Sequence, residues 1–137
     1  MYKENIIAWI ENDLSTPNPR FNNLPRCPYA KRAVMDNKIL FENIQSGFYN
    51  VVKRLVETWD DSYDIAVLNL DYNVTPNAVG TLRTICNEGY ADKDFIFIED
   101  FVPQGNHSVI LMQRKTNIDK ARIQLKSKGY YAGDPQK

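Results

Sequence analysis

The stretch KILFENIQSGFYNVVKRLVETWDDSYDIAVLNL, residues Lys38 to Leu70, decides the architecture. Within it Phe48, Val51, Val52, Leu55, Val56 and Trp59 recur at i, i+3, i+4, i+7, i+8 and i+11. That spacing sets all six on one face of a helix, while Asn50, Lys53, Arg54 and Glu57 take the other. KILFENI, ahead of the helix, reads as a strand. IAVLNL, after the turn DDSYD, is a nearly unbroken apolar run of the kind expected for a strand covered on both faces. Strand, helix, strand implies a parallel pair joined by a right-handed crossover.

The same reading extends in both directions. Downstream, Thr75 followed by Pro76 supplies the N-cap and first-turn proline of a helix that buries Val79, Leu82, Ile85 and Cys86 and ends near Glu88, with Gly89 as its stop. FIFIEDF and SVILMQR, joined by VPQGNH, read as an antiparallel hairpin turning at Gly105 and Asn106. A last helix starts at a Thr116 cap with Asp119 three residues on, buries Ile118, Ala121 and Leu125, and stops at Gly129, leaving 130–137 as a loose tail. Upstream, Ile6, Ile7, Ile10 and Leu14 mark a first helix that Pro17 and Pro19 end. The Pro- and Asn-rich interval from Ser15 to Lys38 reads as a wrapping segment, with a short helical stretch at Tyr29 to Met35.

The expected order is therefore a helix followed by β-α-β-α-β-β-α. This is an α/β fold, with α+β as the alternative class, built on a mixed, mostly parallel sheet with helices on its faces. The string of elements resembles that of thioredoxin-like domains. A ferredoxin-like sandwich ranks second, because it needs one of the two middle helices to be reassigned.

Bulk properties narrow the classes of function. A chain of 137 residues fits one domain, here 1–137, and buries a core without a metal or a disulfide framework. The 17 basic and 17 acidic side chains cancel, which removes the overall positive field of a dedicated nucleic-acid binder. No apolar run approaches the ~20 residues of a membrane span. Lys3, Glu4 and Glu11 interrupt the N-terminal segment, so a secretory leader is not expected and a cytoplasmic location is. Two cysteines imply free thiols in a reducing compartment. His107 is the only histidine and no CxxC pair exists, so neither a metal nor a cofactor is expected. GxxxxGK[ST] and GxGxxG are both missing, which leaves Ser46 and Gly47, opening a helix after a strand, as the one phosphate-cradle candidate.

NNLPRCPYAKRAVMDNK, Asn22 to Lys38, carries the other candidate chemistry. Pro28 suits a first helical turn, so Cys27 would lie near an N-cap, where the helix end together with Arg26, Lys31 and Arg32 would favour its thiolate. RCPYAKRA resembles the Cys-Pro-Tyr-Cys stretch of glutaredoxins, but Ala30 stands at the second cysteine and the stretch precedes the first strand rather than following it. A longer likeness covers the chain to about Leu70: Trp9 on the first helix, then Cys27, Pro28, Tyr29, Ala30 and Lys31, resembles the opening of the bacterial family named domain of unknown function 1415. That resemblance implies an architecture and no activity. The His-Pro pairs of that family have no counterpart, since LNLDYN and IEDFVP lack histidine. Cys27 is read first as a small semi-buried hydrophobe and second as a nucleophile, and Trp9 and Tyr29 as packing residues.

Three further groupings follow from the order of elements. If the strands ending at Leu70 and Ile98 are parallel neighbours, Asp71, Glu99 and Asp100 emerge at one carboxyl edge near Thr75, where open α/β sheets bind ligands. Such a set suits a hard cation or acid-base work, and equally an ordinary solvated edge. Arg114, Lys115, Lys120, Arg122, Lys126 and Lys128, with Tyr130 and Tyr131 behind them, form the densest basic region. It reads as a solvated helix face before it reads as a nucleic-acid contact. His107 is expected to decorate the hairpin turn. The function expected from the sequence is a binding or regulatory module acting through an unidentified protein partner, using the segment Pro17 to Met35 and the tail, and a homo-oligomer is compatible with it. The alternatives are a thiol-dependent enzyme using Cys27 and a small-ligand or metal site at the carboxyl edge.

Overall fold

The computed structural model describes residues 2–11, 17–18, 24–25, 36–103 and 105–127. The first helix, α1 (Tyr2–Trp9), buries Ile6 and Trp9, and Ile10 just beyond its end is also buried. The i, i+3, i+4 spacing of these three makes the inward stripe. Trp9 takes the place expected of Ile7, which is half-buried, and Leu14 falls outside the described residues. A two-residue antiparallel contact follows between β1 (Pro17–Asn18) and β2 (Leu24–Pro25).

The main body then runs β3 (Ile39–Ile44), α2 (Phe48–Glu57), β4 (Ile65–Leu70), α3 (Pro76–Gly89), a 3-10 turn at Ala91–Lys93, β5 (Phe95–Val102), β6 (His107–Arg114) and α4 (Lys115–Ser127). This is the order read from the sequence, in the α/β or α+β class. Both middle helices stand, so the ferredoxin-like alternative, which required one to be reassigned, is not adopted. Helix α2 buries Phe48, Val52 and Leu55, with Val51, Val56 and Trp59 packed beside them. Among the described residues no helix is long and apolar enough to cross a membrane.

The sheet order is β3-β4-β6-β5. Only β3 and β4 are parallel; β6 is antiparallel to both β4 and β5. The expected mostly parallel sheet is thereby corrected, and hydrophobicity supplies the reason. Every residue of β4 is buried, and so are the five consecutive residues of β6 from Val109 to Gln113. β5 alternates and carries Glu99, Asp100 and an exposed Phe101. The doubly covered strands take the centre, and the hairpin folds β6 inward while β5 is left at the rim.

Two cores lie on either side of this sheet. Helices α2 and α3 cover one face over Ala66, Leu68, Leu70, Phe95, Phe97, Ile110 and Met112. Helix α1 covers the other over Ile65, Val67, Val102, Val109 and Leu111. Helix α3 begins at Thr75, whose Oγ1 accepts from Ala78 N at 3.1 Å, as its sequence predicts. Two details differ: Ile85 is 46% exposed, and α3 runs through Gly89, which has no positive φ. Helix α4 is capped from outside, because Asp94 Oδ1 accepts from both Thr116 N and Thr116 Oγ1. Ile118 is buried as expected. Gly129 and the 130–137 tail fall outside the described residues, as do the side chains of residues 121 and 125.

Candidate functional site: a polar cleft under the first helix

Parallel pairing of β3 with β4 brings their carboxyl ends to one edge and sets Asn43 opposite Asn69. Strand alternation turns both toward the face that α1 covers. Because β6 runs the other way, its first residue, His107, arrives at the same edge. Helix α1 contributes Tyr2, Glu4 and Asn5. Together with Asp71 and Gly105 these residues line a cleft of about 630 Å³.

The hydrogen bonds on the floor of this cleft have a fixed polarity. Asp71 Oδ2 accepts from Asn43 Nδ2 at 3.0 Å and from Gln45 Nε2 at 3.4 Å. An ionised carboxylate only accepts, so Asn43 must turn its amide nitrogen toward it and its Oδ1 toward Asn69. Asn69 answers with its own nitrogen, donating from Nδ2 to Asn43 Oδ1 at 2.6 Å. Asn69 Oδ1 is then left facing away from the relay with no partner, on a residue only 2% exposed. The Asn43 amide, then that of Gln45, and more weakly the charge of His107, hold the Asp71 carboxyl below the usual carboxylate range against a small opposing effect of burial. The relay is therefore locked in this direction at neutral pH.

His107 forms the opposite wall. Its Nε2 lies 3.3 Å from Asn5 Nδ2. With the Asn5 amide donating, neutral His107 carries its proton on Nδ1. The imidazole packs edge-on to Tyr2, ring centroids 6.5 Å apart, and Tyr2 in turn packs edge-on to Phe41. Burial, followed by the charge of Glu42, raises the Tyr2 hydroxyl pKa, so it stays a neutral donor and acceptor. At the hairpin turn Gly105 and Asn106 both have positive φ, 85° and 55°, which carries the chain back over this wall as the sequence predicts.

The carboxylates expected to gather at one edge do not. Strand β6 separates β4 from β5, and alternation along β5 sends Glu99 and Asp100 to opposite faces. Glu99 lies over α3, paired with Arg83 Nε at 2.9 Å, and Asp100 Oδ1 accepts from Phe101 N at 2.8 Å. Thr75 is occupied as a helix cap. Asp71 alone of the four lines the cleft. No group of three or more His, Cys, Asp or Glu side chains suited to a metal ion occurs among the described residues. Gly47 caps α2 in a left-handed conformation, φ 68°, with no side-chain cap.

Of the basic residues, Arg114 is committed to the fold: it stacks 4.4 Å from the Phe95 ring centroid and reaches Asp61 Oδ1 at 3.2 Å and Lys93 O at 2.9 Å. Lys115 pairs with Asp119 at 2.8 Å. The side chains of Arg122 and Lys126 fall outside the described residues, and so does Cys27 with most of the segment Pro17 to Met35. The other cysteine, Cys86, is a free thiol, and burial pushes its pKa up to about 11, which leaves it protonated and unreactive at neutral pH.

Asn5, Asn43, Asn69 and the facing role of His107 are not apparent in the sequence. The available signal is Asn69, the one polar residue in IAVLNL, since a polar side chain inside a doubly covered strand requires partners. No protein-family model matches the chain, and neither a curated protein nor a solved structure matches it.

Proposed function

We propose that the protein is a binding or regulatory module whose ligand is a small polar molecule seated between α1 and the carboxyl ends of β3 and β4. The observation that carries this reading is the orphaned Asn69 Oδ1. A buried carbonyl oxygen without a donor costs on the order of 1–3 kcal/mol, and such groups are seldom retained unless something completes them. Here it sits in a cleft whose other groups, Asp71, Asn5 and His107, are also polar, which is the pattern of a site that orients a ligand. The cleft also lies at the carboxyl edge of the parallel pair, where crevices in α/β sheets are commonly used. The reading assigns binding and no reaction, because no Ser, Thr or Cys is among the described residues that line the cleft.

The test is a thermal melt of the full chain against a panel of small polar compounds: amines, amides, sugars and carboxylates. Native-state binding raises the midpoint with ligand concentration. At least one class should do so in the parent and lose its effect in Asn69→Leu and Asp71→Ala. Equal shifts in the parent and both variants, or no shift with any class, would overturn the proposal.

A further inference from the structure

The cleft's donors and acceptors are unequally matched, and the imbalance specifies the occupant. Its floor holds a buried acceptor without a donor, Asn69 Oδ1, whose direction is dictated by the Asp71-Asn43-Asn69 relay. The Asn43 and Gln45 amides both converge on Oδ2 of Asp71, so its carboxylate meets the cleft as a negative charge and an acceptor. Glu4 adds a second carboxylate to the lining, and no Lys or Arg is among the described residues that line it. Among the described lining residues His107 alone has a basic side chain, and its Nε2 is already matched to an amide donor. The aromatic rings of Tyr2 and His107 supply the remaining wall.

A field of that sign repels anions and concentrates cations. The unpaired acceptor asks for an N–H or O–H, and a charged donor to a carboxylate is worth about twice a neutral one. Aromatic walls add attraction for a cation at close range. Resting on the small-ligand reading above, we infer that the occupant is a small organic cation with two or more N–H donors, a primary ammonium or a guanidinium. Its charged head lies on Asp71 and one N–H lies on Asn69 Oδ1.

The experiment is a two-dimensional amide NMR titration of the full chain with methylguanidinium, agmatine and putrescine. Neutral N-methylurea and acetate are titrated in parallel. The three cations should give saturable shifts at Asn43, Asn69, Asp71 and His107. Asp71→Asn, a substitution at an exposed edge, should weaken them at least about tenfold, the loss of one charge-assisted hydrogen bond. Asn69→Leu should weaken them similarly, with Asp71→Asn standing as the informative variant if that one is poorly folded. Saturable binding of N-methylurea or acetate without the cations would overturn the cationic assignment and leave the small-ligand site standing. Cation binding indifferent to Asp71→Asn would overturn it as well. Silence from every probe here and from the thermal panel would remove both.

Discussion

A methyl group added to Gly105 would lie 2.5 Å from Asn5 Nδ2 and 2.7 Å from His107 Nε2, on a backbone whose φ of +85° L-residues avoid. Gly105→Ala therefore meets two costs at once, a strained backbone and a collision with the wall of the cleft. It should destabilise the protein by about 1–3 kcal/mol and displace the Asn5 and His107 side chains. Gly89→Ala is the control of opposite sign, since nothing lies within 4 Å of its added carbon and its backbone is helical. It should stabilise by about 0.4–1 kcal/mol. Paired urea melts check both, and a Gly105→Ala protein as stable as the parent would show that the turn does not press on the cleft as described. Asp71 makes a second prediction at this scale. Its native pKa lies below the unfolded value, so its stabilising contribution is present above about pH 4 and drains away as pH falls through the native pKa. In melts from about pH 6 to about pH 2, the stability lost by Asp71→Asn relative to the parent should shrink toward acid. A gap that stays constant would mean that the relay does not depend on the charge.

Among the elements, β5 shows how an exposed rim is kept from pairing with another chain. Its outward backbone groups recur every second residue, at 95, 97, 99 and 101, and three devices occupy the first, second and fourth of these positions. Phe95 N donates to Tyr90 O, Phe97 N donates to Asn87 Oδ1 while Phe97 O accepts from Asn87 Nδ2, and Phe101 N donates to Asp100 Oδ1. The Asn87 amide thus acts as one residue of a fifth strand, closing the edge where it would otherwise template association. Asn87→Ala uncovers both Phe97 groups. It should cost about 1–3 kcal/mol and introduce concentration-dependent self-association in sedimentation velocity, whereas a variant that remains monomeric at every concentration would assign Asn87 to stability alone. None of this is legible in NEGYADKDFIFIEDF, because the pairing joins a helix side chain to a strand backbone ten residues away. What the local pattern does reveal is the strand itself, while its rim position does not follow from it, since the sequence sets it equally well beside β4. Glu99 and Asp100, which break the apolar run that SVILM keeps, explain that position once the sheet order is known. The six-residue stripe of α2 and the run of β4 are legible for the same reason, since periodicity is local. The cap of α4 is not: Asp94 reaches it from the far end of the hairpin, and Thr116 donates both its N–H and its hydroxyl to Asp94 Oδ1 where the sequence suggests it would serve as the cap.

In the molecule as a whole, one sheet separates two unlike layers. Helices α2 and α3 lie on their face with a core reaching from Ile44 to Met112, and α3 is also clipped to β5 through Asn87. Helix α1 is held on its face by side chains: Ile6, Trp9 and Ile10 in the core and Asn5 on His107. The cleft lies between this helix and the sheet, so its partners come from the two ends of the chain, 102 residues apart in the case of Asn5 and His107. That separation is why the cleft could not be read from any local motif, while Asp71, whose strand end is local, could. It also gives the molecule an order of opening. An element held by side chains detaches at lower free energy than strands hydrogen-bonded on both sides, so amides of α1 should exchange faster than those of Ala66–Asn69 and Val109–Met112. Ile6→Ala should cost about 2–5 kcal/mol and widen that gap. Leu55→Ala, in the other core, should cost a comparable amount and lower protection across the sheet without favouring α1. Exchange in α1 as slow as in β4 would refute the order. A cation bridging the Asp71 edge to α1 would narrow the gap in proportion to its occupancy, because binding and the docking of α1 would then be one equilibrium.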